Sequence, residues 1–164
     1  VTLGIRILAD QALVMARQGM SAPQIVAKLE ELKSRIRIYA GLDTLEYLQR
    51  GGRLSKTAAN IGRLVNIKPI VTVDTEGNVV MCGKQMGFKH VCRQISKLME
   101  DARPDMNYPV YYVYSHDKKN CAALVQCLQK NEWDLGEPKL REVGPTIGTH
   151  VGPGVYGIVY VEEA

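Results

Sequence analysis

The chain has 164 residues, 46% of them hydrophobic, and a formal net charge of +4. It is long enough to bury a sizeable core, and its length suits one domain or one and a part. No window approaches the ~18 consecutive apolar residues of a membrane span, and Arg6 and Asp10 interrupt what would have to be an uncharged signal core. Neither membrane insertion nor secretion is signalled, and a cytoplasmic location is expected. The cations are scattered among acids without a run of five, which gives little support to a nucleic-acid partner. Cys82, Cys92, Cys121 and Cys127 form no C-x-x-C pair and lie at no zinc-ligand spacing from a histidine, so they read as reduced thiols and not as a disulfide or metal framework.

Along the chain, Ile5, Leu8, Ala12 and Met15 recur at helical spacing, with Gly19 at the place of a left-handed cap. Ser21 with Gln24 makes a capping-box pattern, Pro23 suits a first turn, and Ile25, Leu29 and Leu32 line the face of a second helix. "RIRIYAG" then alternates as a strand. Asp43 with Glu46 signals a short helix that ends at Gly51-Gly52, and a further helix is expected from Lys56 to Leu64. "NIKPIVTVDTEGNVVMCGKQ" reads as a hairpin turning near Thr75 to Asn78. Val91, Ile95, Leu98 and Ala102 mark an amphipathic helix closed by Pro104, and "YPVYYVYSH" follows as a strand. A helix from Lys118 to Lys130 precedes the last two strands, "KLREVG" and "GVYGIVYVE".

The order α-α-β-α-α-β-β-α-β-α-β-β implies an α/β (α+β) fold, a mixed sheet with flanking helices. The two leading helices have no strand before them, and the chain starts at Val1. Residues 1–35 are therefore expected to be connecting helices from the end of an N-terminal domain, and residues 36–164 a C-terminal α/β domain.

Two glycine-framed polar stretches stand out: Gly51-Gly52-Arg53-Leu54-Ser55, and Gly148-Thr149-His150-Val151-Gly152-Pro153-Gly154. Dense glycine lets backbone amides approach a ligand closely, and Arg53, His150, Thr149 and Ser55 supply donors suited to a carboxylate or phosphate. Each stretch also has a plainer reading, Arg53 as a surface arginine and His150 as a turn histidine bonded to the backbone. Neither matches a P-loop or a dinucleotide fingerprint. His116 reads as a strand-end polar residue, His90 as part of a solvated helix face, and Tyr111, Tyr112 and Tyr114 as sheet packing.

Taken together, "DTLEYLQRGGRLSKTAANIGRLVNIKPIVTVDTEGNV" and "VGPTIGTHVGPGVYGIVY" resemble the hallmark stretches of the DegV family of bacterial fatty-acid-binding proteins. The resemblance extends over essentially the whole chain. It implies a two-domain protein that is not itself an enzyme and needs no cofactor or metal, holding a long-chain fatty acid in a buried tunnel. The carboxylate would be held by hydroxyls of the N-terminal domain and, in this chain, by His150, with Thr149, Arg53 and Gly52 around it. The family further resembles the acyl-carrying subunit of a fatty acid kinase, which implies an ATP-binding partner docking at Arg53, Lys84 and Lys89. The sequence departs from the family in one place, where Met86 stands at a position commonly arginine. The competing expectation is a hydrolase or phosphotransferase with His150 as general acid or base, against which stand the absence of a nucleophile motif and of paired carboxylates near the glycines.

Overall fold

The computed structural model describes residues 2–54 and 67–164. The expected helix from Lys56 to Leu64 and the Ser55 hydroxyl lie outside the described residues. The first two helices form where their signals stand. α1 (Thr2–Arg17) is stopped by Gly19 at φ +80°, and α2 (Ala22–Ser34) follows Ser21. Gln24 Oε1 accepts from both Ser21 N (2.9 Å) and Ser21 Oγ (2.8 Å), so the paired residues act as the sequence implied.

β1 (Ile36–Gly41) leads to α3 (Glu46–Arg50), whose start differs from expectation. Leu45 stands at its N-cap, and the Asp43 carboxylate pairs with Lys68 Nζ at 2.7 Å instead of capping the helix. β2 (Ile67–Val73) and β3 (Val79–Met86) make the hairpin, with Asp74 Oδ1 accepting from Glu76 N and Asn78 N across the turn. α4 (Phe88–Asp101), β4 (Tyr111–Tyr114), α5 (Lys119–Lys130) and β5 (Lys139–Glu142) follow in turn. Where a glycine loop was expected before the last strand, the chain forms α6 (Pro145–Val151), and β6 (Tyr156–Val161) closes the fold. Pro145 at the helix start and Gly152 just past its end, at φ +75°, are the asymmetric start and stop signals that the dense glycines obscured.

The strands form one six-stranded sheet in the order β3-β2-β1-β6-β4-β5. Neighbours are antiparallel throughout except for β4 and β5, which are parallel and joined through α5. β6 lies between β1 and β4 and is buried along its whole length. Its alternation sends Tyr156, Ile158 and Tyr160 to one face, where they pack with Tyr39 and Tyr112 under Val91, Ile95 and Met99 of α4 and Leu124 and Leu128 of α5. Burial in this layer pushes the Cys82 thiol up to about 11 and the Cys121 thiol up to about 12, and also raises Cys92, so these thiols remain protonated at neutral pH.

The opposite face is covered in two separate patches. Ile7 of α1 and Leu32 of α2 pack on Tyr111, Val113, Val159 and Val161, while Leu42, Leu45, Leu48 and Leu54 around α3 pack on Ala40, Val71 and Val155. Among the described residues the two patches meet at Val143, and a cavity opens between them. No helix among the described residues is long and apolar enough to cross a membrane.

β1 and β6 approach so closely that a Cβ at Gly157 would overlap the Tyr39 carbonyl oxygen and come 2.8 Å from Ala40 Cα. Both obstacles are backbone and cannot swing aside. Gly157→Ala is expected to cost about 1–3 kcal/mol through overpacking, read as a lowered midpoint in urea denaturation with an unchanged slope.

Candidate functional site

This face of the sheet floors a cavity of about 300 Å³. Ile38 and Ala40 of β1, Val71 of β2, Val113 of β4 and Val159 of β6 form its floor. Leu3 of α1 stands on one side, and Leu48, Arg53 and one face of α6 stand on the other. The floor residues share a face because strand side chains alternate, and three of them are valines that present a smooth, rigid surface. Against this apolar lining the polar groups are few: Thr72, Arg53, Glu142, Thr146 and His150.

α6 sets the polar wall. Thr146, Ile147, His150 and Val151 all line the cavity, as residues three and four apart on a helix must. The imidazole is held from behind by α3. A Cβ at Gly51 would overlap His150 Nδ1, and a Cβ at Gly152 would overlap the Tyr47 ring, so each helix carries a glycine against the other's ring. His150 Nδ1 is buried and has no hydrogen-bond partner among the described residues. With no acceptor facing Nδ1 among the described residues, Nε2, on the edge turned away from Gly51, is the ring nitrogen placed to donate to a ligand. Ser115, at the end of β4, ties down the far end of the loop: its hydroxyl donates to the Gly152 carbonyl (2.7 Å) and accepts from Val155 N (3.0 Å).

The residues singled out in the sequence separate into two groups. Arg53 and His150 come together on the cavity, with Arg53 Nη1 folded back onto the Gly51 carbonyl at 2.9 Å. Thr149 does not join them: its hydroxyl donates to the Pro145 carbonyl at 2.9 Å within α6, and it is absent from the cavity lining. Gly52, at φ +67°, is an exposed turn residue with open space where a Cβ would be. Lys84 and Lys89 are exposed on β3 and α4 and are absent from the cavity lining. His90 Nδ1 lies 2.8 Å from the Met86 carbonyl oxygen, and His116 occupies a left-handed turn at φ +66° after Ser115. Among the described residues, no group of three His, Cys, Asp or Glu is placed to hold a metal.

The reading of sequence missed Tyr47, Thr146 and Ser115, and it read Gly51 as room for a ligand where the fold sets it against the His150 ring. Thr146 was within reach, because it lies one helical turn before His150 once Pro145 is taken as a helix start. Tyr47 and Ser115 carry no local signal, since their roles depend on contacts distant in the chain.

The sequence profile of the DegV family matches residues 1–163. A DegV domain-containing protein of Caldanaerobacter subterraneus is 33% identical over 162 residues, covering 99% of this chain and 58% of that protein. The structure described as fatty acid binding of a DegV family protein from Thermus thermophilus superposes with a TM-score of 0.83 at 29% identity, over 98% of this chain and 57% of that one. The fatty acid kinase B3 protein of Streptococcus pneumoniae, solved with linoleic acid, shares the fold with a TM-score of 0.81 at 16% identity, over 97% of this chain and 56% of that one. The chain thus spans a little more than half the length of these relatives.

Two substitutions test the contact between α3 and α6. Gly51→Ala must displace the His150 ring and is expected to lower stability by about 1–3 kcal/mol. Gly148→Ala lies in the same helix with nothing within 4 Å of the new methyl, and is expected to stabilise by about 0.5–1 kcal/mol through helix propensity. Opposite shifts in thermal midpoint would bear out the packing.

Proposed function

We propose, from the premise that the chain belongs to the DegV family, that it binds a long-chain fatty acid, with the acyl tail along the apolar floor of the cavity and the carboxylate at His150. The observation that carries this reading is the cavity itself, apolar along its floor and polar along the wall where Arg53 and His150 stand. Each buried methylene contributes ~0.8 kcal/mol, enough for a long tail to outweigh the ordering of the site, provided that the charged head is hydrogen-bonded. His150 Nε2–H is a donor, and Arg53 brings a permanent positive charge to the same wall.

In this reading residues 1–35 are the connecting helices and residues 36–164 the lipid-binding domain. The remaining carboxylate ligands are the hydroxyls that the family resemblance places in an N-terminal domain. The bound acid, or its acyl phosphate, is offered to an ATP-binding kinase subunit, with Arg53, Lys84 and Lys89 as the docking cations. The fold shared with the pneumococcal kinase B3 protein supports that role, and the exposure of the two lysines is compatible with it.

Mass spectrometry of lipid extracted from the purified protein is expected to find a fatty acid. Calorimetric titration with oleate should then show His150→Ala weakening binding by about 1–3 kcal/mol, the cost of removing a partner from a buried polar group. Absence of extracted fatty acid together with absence of oleate binding would overturn the assignment. Unchanged affinity in His150→Ala would remove that residue from the site.

A further inference from the structure

We infer that Thr146 is a second head-group ligand on α6, its hydroxyl binding the same carboxylate as His150. The inference rests on the proposed binding of a fatty acid and adds to it a residue outside the glycine stretches. Thr146 and His150 are one helical turn apart and both line the cavity. Residues so spaced have Cβ atoms ~5–6 Å apart. A carboxylate has two oxygens, each accepting at ~2.7–2.9 Å from its donor, so one carboxylate between the two side chains bridges that gap with one oxygen to each.

The neighbouring side chains fix which threonine can serve. The Thr149 hydroxyl donates into its own helix at the Pro145 carbonyl, off the cavity. Thr72 is on the floor strand β2 and shares no helix with His150. Glu142, at the end of β5, also lines the cavity and adds a negative charge there. Thr146 follows it in the chain after only Val143, Gly144 and Pro145, and a hydroxyl at this position gives the carboxylate a neutral donor near an acidic side chain that repels it. The ligand class is accordingly an acid with a free carboxylate, held by a hydroxyl and an imidazole from one helix with Arg53 alongside.

Titration of the full chain with oleate and with methyl oleate tests this, using Thr146→Val, Thr146→Ser, Thr149→Val and His150→Ala. Thr146→Val keeps the β-branched shape and is expected to weaken oleate binding roughly five- to fiftyfold. Thr146→Ser should recover most of that loss, Thr149→Val should stay within about twofold of the parent, and methyl oleate, with no charged oxygen to lose, should discriminate far less between parent and Thr146→Val. Parent-like oleate binding by Thr146→Val beside a weakened His150→Ala would overturn the role of Thr146 and leave the fatty-acid reading standing. An equal loss for acid and ester in Thr146→Val would also overturn it, as a purely structural effect. Failure of the parent chain to bind oleate would overturn the underlying reading instead.

Discussion

The central strand β6 is buried on both faces, and this one constraint organises the molecule. A strand hidden on both sides needs a layer above and a layer below, and each layer must present apolar groups at the alternation of the strand. α4 and α5 meet that demand with a continuous cluster built on Tyr156, Ile158 and Tyr160. On the other face the demand is met from two directions, by α1 with α2 and by the segment around α3, and among the described residues the two are linked through Val143. The cavity is the interval between them. It is therefore a property of the layer arrangement, and its apolar floor is core-quality sheet flanked by the two patches.

Much of the architecture can be read from local pattern. Gln24 bonds to Ser21 as their spacing implies, Gly19 ends α1 in the left-handed region, and the hairpin turns at the polar run beginning with Asp74. Such features succeed because each depends on residues within one turn of one another. The reading fails where a distant partner competes. Asp43 precedes a helical pattern at cap spacing, yet Lys68, far along the chain, takes its carboxylate. The stretch around His150 fails for another reason: glycine is ambiguous between loop and helix, and here Pro145 and Gly152 bound a real helix.

The family could be recognised in the sequence, and so could the association of Arg53 with His150. The division of labour among their neighbours could not. In the sequence the glycines suggest room for a ligand, whereas in the fold Gly51 and Gly152 make room for the chain's own His150 and Tyr47. Gly154 does the same for Asp43, whose carboxylate would overlap a Cβ there. The cavity wall is made instead by the side chains that α6 turns toward the sheet, and helical phase, which decides that, is set by where the helix begins.

The paired glycine contacts between α3 and α6 also bear on how such sequences can change. Gly51 and His150 occupy one volume from opposite sides, and Tyr47 and Gly152 occupy another. Enlarging either partner is tolerated only if the other retreats, so the two stretches cannot drift independently although most of the chain separates them. Across relatives, variation at Tyr47 and Gly51 should be correlated with variation at Gly152 and His150, and a graft of one stretch without the other should carry its residues and lose its site.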